Sequence, residues 1–551
     1  MRERTGGEVI VESLQAHGVT TTFGVPGESY LPVLDALHDT DIRFVICRQE
    51  GGAAYMAEAW AKFTGAPGVC LVTRGPGATN ASIGVHAAAQ ASTPMVLLVG
   101  QVGTHQQGRE AFQEVNYEQM FGGLAKWVTE IRNVDDASSA MATAIHRAMS
   151  GRPGPVVVAL PENILSAVTS TAATEPIVVD PQAPSAEDID AIVAALNASE
   201  RPVILAGGGA WTPQARHDLK AFAERGDIPV VAAFRFHDVV DNHSPAYAGE
   251  AGVAMPPAVR DTLADADCVL AIGVRFGEMT TGAWTIWPVP NPGVPIVHIH
   301  PDPAELAKIY TPTIGIVARP ASTLAALVEP TLAPRSADWR QTRRDAFLAT
   351  TTCPPQPGAL DMGEVMAWLQ DHLPVDAVLT NGAGNFTVWP NKFFLYGAEA
   401  RLLAPQSGSM GYGLPAAIAA KVAAPERTVV CFAGDGDIQM NLQELGTALQ
   451  SNAQPIVLVL DNGMYGTIRM HQERHFPERV VGTDLVNPNF VTLAQAYGFH
   501  AERVETTDEF AAAFARAEAS PTSALLHLII EPTQLTPSQS ISQARAQASP
   551  K

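Results

Sequence analysis

The feature that most constrains the fold is a repeat of short apolar runs, each ended by Gly or Pro and followed by an Ala-rich stretch. RFVIC precedes EGGAAYMAEAWAKF, and PGVCLVT precedes ATNASIGVHAAAQA. Uninterrupted apolar runs of this length are typical of strands buried on both faces of a parallel sheet, with helices in the crossovers. The sequence therefore predicts an α/β fold of doubly wound parallel sheets.

The length of 551 residues predicts more than one such unit, since a domain usually has roughly 150 residues. Two Pro-rich stretches, at residues 176–188 and 351–361, have the composition of linkers. The polar C-terminal sequence has little to bury, so we expect a loose end there. The predicted units are an N-terminal domain at 1–175, a central domain at 186–345, a C-terminal domain at 358–534 and a flexible tail at 535–551.

Composition excludes several classes of protein. Hydrophobic residues make up 46% and charged residues 17%, so the chain can bury several cores. The net charge of −21 disfavours nucleic acid and anionic lipid as partners. The five cysteines lack CxxC spacing, which argues against a disulfide framework or a zinc site and favours a reducing compartment. Because we find neither a signal-like segment nor a long apolar run, we expect a soluble, cytoplasmic protein with no membrane contact.

The strongest local signal is a Gly-Asp-Gly turn, Gly434–Gly436, directly after the apolar run TVVCFA. Between Gly436 and Asp461 lie 24 residues, enough for one helix and a return strand. Asp435 and Asn462 should therefore lie at the carboxyl ends of two parallel strands, the edge where such sheets bind ligands. A carboxylate, an amide oxygen and a backbone carbonyl suit an octahedral Mg²⁺ that also holds diphosphate oxygens. The glycines let backbone N–H groups approach phosphate.

This motif resembles the thiamin-diphosphate signature, and most of the chain is similar to the acetolactate synthase group of thiamin-diphosphate enzymes. The similarity runs from FGVPGESYLPVLDAL through RQEGGAAYMAEAWAKFTGAPGV, RGPGATN, GREAFQE and GRPGPV to SMGYGLPAAIAA and GDGDIQMNLQELGTAL. It implies that the N-terminal domain binds the aminopyrimidine of thiamin diphosphate, and that the C-terminal domain binds its diphosphate and Mg²⁺. It also implies active sites between two subunits of a homodimer or homotetramer.

The resemblance assigns roles to individual residues. Glu50 matches the glutamate that hydrogen-bonds the pyrimidine N1′ and exchanges a proton there, although an acidic residue at a helix start would look the same. Asp435 and Asn462 match the side-chain ligands of Mg²⁺, and Met464 matches its carbonyl ligand. Met410 matches the bulky residue that bends the cofactor into a V shape, although a core methionine has the same pattern.

Further positions follow from the same match. Val25 and Gly27 would lie beside the pyrimidine of the partner's cofactor, with Asn80 in a neighbouring loop. Phe112 and Gln113 match residues that face the substrate, although an exposed helix start explains them equally well. The remaining expected cofactor contacts are Gly382, Ala383, Gly384, Asn385, Phe386, Gly408, Gly434, Gly436, Asp437, Tyr465, Gly466, Thr467 and Ile468.

Several positions depart from acetolactate synthase. The family motif RFDDR reads RFGEM here, so that Met279 replaces an arginine that holds flavin and the carboxylate of the second 2-oxoacid. A methionine cannot make that bidentate contact, which argues against pyruvate as the acceptor. His471 stands in place of an active-site tryptophan, and Asn385 with Phe386 in place of Gln-His. Asp437 adds a carboxylate beside the diphosphate, which is unfavourable unless it turns away or reaches the metal.

Other features leave alternatives open. Glu28, in a VPGE turn, resembles the acid of pyruvate decarboxylase, and a carboxylate there could protonate the intermediate to release an aldehyde. Arg469 would attract an anionic substrate group or be a solvated helix arginine. Gly207–Gly209 and PIVHIHPDPAEL resemble parts of the flavin site, but a tight turn explains the glycines too, so FAD stays uncertain.

We therefore expect a thiamin-diphosphate enzyme that decarboxylates a 2-oxoacid and joins the product to a second carbonyl. One alternative is a decarboxylase or carbon–carbon lyase that releases an aldehyde. Another is an inactive paralogue that only binds the cofactor. The residues expected to take part in catalysis are Glu50, Glu28, Gln113 and Phe112.

Overall fold

Three six-stranded parallel sheets, each flanked by helices, follow one another along the chain in this computed structural model, which describes residues 2–547. The prediction of an α/β fold with doubly wound parallel sheets is confirmed. Residues 170–185 and 349–361 contain no helix or strand and connect the three sheets.

The N-terminal sheet has the strand order β3-β2-β4-β5-β7-β6, and a short antiparallel pair of β1 and β8 lies beside it. Its strands are β1 (Arg4–Thr5), β2 (Thr21–Gly24), β3 (Arg43–Ile46), β4 (Gly68–Val72), β5 (Met95–Gln101), β6 (Trp127–Glu130), β7 (Pro155–Pro161) and β8 (Val168–Thr169). Its helices are α1 (Gly6–Ala16), α2 (Leu31–His38), α3 (Glu50–Thr64), α4 (Pro76–Ala91), α5 (Tyr117–Phe121), α6 (Ala137–Met149) and α7 (Glu162–Ser166).

The central sheet has the order β11-β10-β9-β12-β13-β14 and a hydrophobic core of its own. Its strands are β9 (Pro202–Ala206), β10 (Val230–Ala233), β11 (Tyr247–Ala251), β12 (Cys268–Ile272), β13 (Ile296–Ile299) and β14 (Ile314–Ile316). Its helices are α8 (Ala186–Asn197), α9 (Pro213–Arg225), α10 (Pro257–Ala264), α11 (Pro320–Ala326) and α12 (Asp338–Leu348).

The C-terminal sheet has the order β16-β15-β17-β18-β20-β19, and β21 and β22 pair next to it. Its strands are β15 (Val378–Asn381), β16 (Arg401–Leu403), β17 (Val429–Gly434), β18 (Ile456–Asp461), β19 (His500–Val504), β20 (Ala524–Ile529), β21 (Gln534–Thr536) and β22 (Gln539–Ser540). Its helices are α13 (Met362–His372), α14 (Val388–Lys392), α15 (Gly413–Ala423), α16 (Asp435–Ile438), α17 (Leu445–Ser451), α18 (Gly466–His475), α19 (Phe490–Ala496), α20 (Thr507–Glu518) and α21 (Ile541–Ala546).

Short-range chemistry fixes where several of these elements begin and end. Helix α1 begins at a capping box in which Thr5 and Glu8 satisfy each other's backbone N–H groups. Helix α3 begins after Gln49, whose side chain accepts from the N–H groups of the first turn, and ends at Gly65, which has a φ of +78°. Helices α3 and α15 consist mainly of small residues and pack together, so the N- and C-terminal sheets share one core.

The prediction of a flexible tail from residue 535 is wrong for the part that the structure describes. Leu535 is 4% exposed and Ala544 is fully buried, and both pack against Met470 of α18. Arg545 makes two hydrogen bonds to the buried carboxylate of Glu473, at 2.7 and 2.9 Å. This bidentate pair fixes α21 on α18, an anchor that the polar composition did not reveal. Residues 548–551 lie outside the described part of the chain.

The structure also shows the state of the cysteines and the character of the helices. All five cysteines are unpaired, and four of them are buried. Within residues 2–547, none of the helices combines the length and the apolar character that a bilayer crossing requires.

Candidate active site

A cavity of about 250 Å³ opens at the carboxyl edge of the C-terminal sheet. Its wall includes the turns that follow β15 and β17 and the segment that follows β18. Because Gly434 pairs with Leu460, the residues after these two strands leave the sheet side by side. The strand order reverses between β15 and β17, and such a switch point is where doubly wound sheets bind ligands.

Most of the predicted cofactor contacts meet at this cavity. Gly382 is an exception: it lies behind the wall, where a Cβ atom would come within 2.1 Å of the Asp437 carboxylate. The predicted residues that line the cavity are Ala383, Gly384, Asn385, Phe386, Gly408, Met410, Gly434, Asp435, Gly436, Asp437, Asn462, Met464, Tyr465, Gly466, Thr467 and Ile468.

A hydrogen-bond network joins the two acidic residues at the strand ends. The side-chain amide of Asn487 donates to Asp435 at 2.7 Å and to Asp461 at 2.9 Å. His527 lies 2.8 Å from the other oxygen of Asp461. Burial raises the pKa of Asp435 to about 6, and the Asp461 carboxylate adds to the shift, while the Asn487 hydrogen bond opposes it. Burial would raise the pKa of Asp461 too, but hydrogen bonds from His527 and Gly463 hold it below its usual range.

The donor set at this edge fits Mg²⁺. Asp435 offers a carboxylate and Asn462 an amide oxygen at the ends of neighbouring strands, with the backbone carbonyl of Met464 close in sequence. A divalent cation here would favour the ionised form of Asp435, whose pKa burial has raised. Within residues 2–547 there is no group of three or more His, Cys, Asp or Glu side chains that could hold a metal ion. The predicted Mg²⁺ ligands do not form such a group, because they comprise one carboxylate, one amide oxygen and one backbone carbonyl.

Asp437 lies in the cavity wall, and backbone groups of the protein hold its carboxylate. One oxygen accepts from the backbone N–H groups of Ala383 and Gly411, both at 3.0 Å. It thereby joins the turn after β15 to the loop that carries Met410. Burial raises the pKa of Asp437 to about 7, although these hydrogen bonds and the charge of Arg235 oppose the shift. Backbone N–H groups thus anchor the extra carboxylate, and the two arrangements that the sequence left possible, turning away or reaching the metal, both stay predictions.

Glycine is required in the turn after β17 because aromatic rings approach its backbone closely. A Cβ atom on Gly434 would come within 2.7 Å of the Phe386 ring, and one on Gly436 within 2.4 Å of the Tyr465 ring. Side chains at these positions would push both rings out of the cavity wall. The Gly-Asp-Gly turn therefore keeps the backbone accessible from the cavity.

Glu50 lies at the carboxyl edge of the N-terminal sheet, at the first residue of α3. It is half-buried and accepts a hydrogen bond from the Asn80 side chain at 2.9 Å. It does not line the cavity of its own chain. Gly27 lies at the same edge, where a Cβ atom would come within 2.5 Å of Thr73, and the Val25 carbonyl accepts from the Tyr30 hydroxyl. The roles of these residues in cofactor binding stay predictions.

The other predicted catalytic residues also lie at the N-terminal edge. The exposed carboxylate of Glu28 pairs with Arg74 at 3.2 Å. Phe112 is 75% exposed, and Gln113 has a φ of +66°. These two form a turn between β5 and α5, so the alternative explanation by an exposed helix start is wrong. The turn is held in part by the Arg74 guanidinium, which donates to the Phe112 carbonyl at 3.2 Å.

The structure shows the surroundings of one departure from the family, His471, and of two features whose role was left open, Arg469 and the Gly207–Gly209 turn. Arg469 pairs with Glu473 at 2.9 Å and with Asp484 at 3.2 Å, so its charge is already matched by protein carboxylates. His471 is exposed on α18. A Cβ atom on Gly208 would come within 2.0 Å of the Gly273 carbonyl, so close packing accounts for glycine at this turn.

Three family models match the chain, one in the region of each of the three sheets. Residues 4–120 match the thiamine pyrophosphate enzyme N-terminal TPP binding domain, 189–327 the central domain and 382–528 the C-terminal TPP binding domain. The chain belongs to the thiamine pyrophosphate enzyme family. Thiamine pyrophosphate is thiamin diphosphate, so the resemblance drawn from the motifs is confirmed.

Curated relatives of the family extend over nearly the whole chain. The acetolactate synthase large subunit of Parasynechococcus marenigrum is 32% identical over 541 residues, covering 95% of this chain and 87% of the relative. The acetolactate synthase isozyme 2 large subunit of Escherichia coli is 32% identical over 533 residues, covering 96% and 95%. The acetolactate synthase large subunit of Corynebacterium glutamicum is 33% identical over 533 residues, covering 93% and 84%.

Sequence reasoning missed residues outside the motif that hydrogen-bond the acidic pair or line the cavity. Asn487 belongs to the loop between α18 and α19, which gives no periodic signal. His527 lies within the buried strand β20, between apolar residues. Leu535 lines the cavity from the segment that was predicted to be loose, and Gln534, the last residue of the predicted C-terminal domain, lies next to it. A polar residue inside an apolar strand, such as His527, was the one available signal.

Proposed function

We propose that this protein decarboxylates a 2-oxoacid and joins the product to a second carbonyl, as an acetolactate synthase-type enzyme with thiamin diphosphate and Mg²⁺. Its membership of the thiamine pyrophosphate enzyme family supports this activity, and so do relatives named acetolactate synthase. The observation that carries the proposal is the cavity at the switch point of the C-terminal sheet, where Asp435, Asn462 and the Gly-Asp-Gly turn meet.

In this proposal the C-terminal sheet holds the charged end of the cofactor. Asp435 and Asn462 bind Mg²⁺ through their side chains, and Met464 through its carbonyl. Asn487 orients the Asp435 carboxylate, as outer hydrogen-bond partners commonly orient metal ligands. Thiamin diphosphate, when bound, supplies the electron sink that allows a 2-oxoacid to lose CO₂. Met410, in the cavity wall, would be the bulky side chain that supports the cofactor.

Glu50 acts, in this proposal, on the cofactor held by a second copy of the chain. Its carboxyl group exchanges a proton with the pyrimidine N1′, and Asn80 orients that carboxyl group. Val25 and Gly27 contact the same ring, while Phe112 and Gln113 face the substrate. The functional unit is accordingly a homodimer or homotetramer, in which each site takes its N-terminal edge from one subunit and its C-terminal edge from the other.

We also propose domain boundaries and a cellular compartment. Residues 1–175 form the pyrimidine-binding domain, 186–345 the central domain and 358–534 the diphosphate-binding domain, and residues 535–547 complete the last of these. The five unpaired thiols suit the reducing cytoplasm.

A second candidate function is supported by Glu28 and Met279. The Glu28 side chain is exposed beside Arg74, where its carboxyl group would take a proton from solvent and pass it to the intermediate. Met279 offers no charge to bind the carboxylate of a second 2-oxoacid. Both features favour release of an aldehyde over carboligation to pyruvate. Incubation of the enzyme with thiamin diphosphate, Mg²⁺ and a panel of 2-oxoacids tests both candidates. Release of CO₂ with a hydroxyketone supports the first, CO₂ with an aldehyde supports the second, and no CO₂ from any acid contradicts both.

A further inference from the structure

A second cavity, of about 430 Å³, lies between the central and C-terminal sheets. It adjoins the first cavity, since five residues line both cavities: three in the turn after β15 and two elsewhere in the C-terminal domain. These shared residues are Ala383, Gly384, Asn385, Gly408 and Thr467. A group bound in the second cavity therefore lies directly beside the proposed position of the cofactor.

Much of the wall of this second cavity is apolar. Phe234, Val253 and Met279 contribute from loops of the central sheet. Tyr247 and Phe347 add aromatic surface and pack edge-on, with ring centroids 5.1 Å apart. A wall of this extent holds a branched or aromatic group well, whereas a methyl group would contact only a small part of it.

One part of the wall gathers buried polar atoms without partners. Within residues 2–547, the Nε of Arg235, both ring nitrogens of His237 and the side-chain oxygen of Asn391 make no hydrogen bond. Arg235 is 6% exposed and His237 is 3% exposed. The Asn391 backbone carbonyl lies near the imidazole and favours its charged form, without the geometry of a hydrogen bond. Buried donors and acceptors are almost always paired, so four such atoms in one place indicate a bound polar group.

The charges around these atoms compensate one another. The Arg235 backbone N–H donates to the Glu250 carboxylate at 2.9 Å, and the Arg235 guanidinium donates to the Pro405 carbonyl at 2.5 Å. The Glu250 carboxyl group is 3.9 Å from the His237 Nε2. Burial raises the pKa of Glu250 to about 7 and lowers the pKa of His237 to about 4. At neutral pH the imidazole is therefore uncharged and offers one donor and one acceptor, which suits a hydroxyl or carbonyl better than a carboxylate.

We propose that the second cavity binds the side chain of a substrate, and that this side chain is aromatic or branched and ends in an uncharged hydroxyl or carbonyl group. The side chain belongs to the 2-oxoacid or to the second carbonyl compound. This inference rests on the proposed function, because the neighbouring cavity is assigned to the cofactor there. It makes pyruvate a poor substrate, since its methyl group leaves His237 and Asn391 without partners.

The first experiment compares pyruvate, phenylpyruvate and 4-hydroxyphenylpyruvate with the enzyme saturated in thiamin diphosphate and Mg²⁺. We expect kcat/KM for CO₂ release to be about 100-fold higher for phenylpyruvate than for pyruvate, and about 10-fold higher again for the hydroxylated acid. If the three acids react alike but 4-hydroxybenzaldehyde is a far better acceptor than acetaldehyde, the cavity binds the second carbonyl compound. Equal use of small and aromatic compounds in both positions overturns the proposal.

Two variants locate the effect in this cavity. Val253→Trp narrows it at its exposed rim, and we expect kcat/KM for the aromatic acids to fall about 10-fold relative to kcat/KM for pyruvate. Val317→Trp is the matched control, because Val317 is a similarly exposed valine of the central domain outside this cavity. His237→Phe keeps a ring but removes the hydrogen bonds, so it should abolish the preference for the hydroxylated acid alone. Unchanged selectivity in well-folded Val253→Trp and His237→Phe overturns the proposal.

Calorimetric binding of 4-hydroxyphenylpyruvate separates this inference from the proposed function. Binding that Val253→Trp weakens, without CO₂ release from any acid, supports the cavity and contradicts the proposed function. Rapid turnover with pyruvate preferred supports the function and overturns the cavity assignment. If the purified protein has a flavin absorption spectrum and Val253→Trp abolishes it, the cavity binds flavin. If a structure of the complex with the acid shows only ordered water at His237, the cavity holds solvent. Either result overturns the proposal.

Discussion

The N- and C-terminal sheets have the same strand topology, yet their carboxyl edges differ in what they build. Each sheet places its first strand inside, its second strand at one edge, and the remaining four on the other side. In the C-terminal sheet, the loops after the strands enclose a cavity in which Asp435 is 3% exposed. In the N-terminal sheet, the corresponding loops leave Glu28 and Phe112 exposed and Glu50 half-buried.

The same strand topology can therefore build an enclosed cavity, as in the C-terminal sheet, or an exposed edge, as in the N-terminal sheet. The enclosed half depends on contacts within the sheet, such as the hydrogen bonds of Asn487 and Asp437. The open face depends on a second copy of the chain in our proposal. Substitutions at the two edges should therefore have separable effects, on metal and cofactor affinity in one case and on turnover in the other.

The largest expected effect comes from Glu50. We expect Glu50→Gln to lower kcat by about 10²- to 10⁴-fold, the usual contribution of a proton-transferring group, and to leave Mg²⁺ affinity within about twofold. Asp435→Asn should instead lower the affinity for Mg²⁺ and, through it, for thiamin diphosphate. Turnover assays and calorimetric titration of both variants give the comparison, and loss of Mg²⁺ affinity in Glu50→Gln would remove the distinction between the edges.

The next effect tests the support of the enclosed half. Asn487→Leu removes both hydrogen bonds that join Asp435 to Asp461, and we expect Mg²⁺ affinity to fall by about 10- to 100-fold. Asn163→Leu is the control, because Asn163 makes two hydrogen bonds to Thr104 at the N-terminal edge. Equal losses in the two variants would show that Asn487 acts only on general stability.

A smaller effect is expected from the C-terminal segment that completes the cavity wall. Arg545→Ala removes the bidentate pair with Glu473 and should loosen Leu535, so we expect cofactor affinity to fall by about fivefold. Arg516→Ala removes a similar bidentate pair with Glu502, away from the cavity, and should leave cofactor affinity unchanged. Identical affinities in the two variants would contradict a role for the segment in the cavity.

The last effect concerns stability, not turnover or cofactor affinity, and extends the comparison to the central sheet. Because burial raises the pKa of Glu250 from 4.5 to about 7, the folded protein takes up a proton, and its stability falls as pH rises between these values. Glu250→Gln should flatten this decline by up to about 3 kcal/mol in the free energy of unfolding. Denaturant titrations at pH 5 and pH 7 measure it. Part of the slope should remain, because the pKa of Asp437 is raised over the same range.

The sequence predicted the C-terminal edge well because short-range patterns define it. Gly-Asp-Gly, an apolar strand on either side and a spacing of 24 residues are enough to bring Asp435 and Asn462 together. Asn487 could not be predicted, since its loop reaches the site only after the whole sheet has formed. The C-terminal segment was wrongly expected to be loose because its anchors are isolated: one leucine, one alanine and the Arg545–Glu473 pair. The second cavity depends on contacts between two domains, which no local pattern contains.

The central claim is that one subunit's Glu50 acts with the partner's Asp435. Mixing Glu50→Gln and Asp435→Asn chains under conditions that exchange subunits tests this most directly. In a mixed dimer one site then carries both wild-type residues and the other carries both substitutions. The account predicts that activity returns to about one quarter of the wild-type value after random exchange, while each variant alone stays nearly inactive. Absence of recovery in a mixture shown to contain mixed dimers would contradict it.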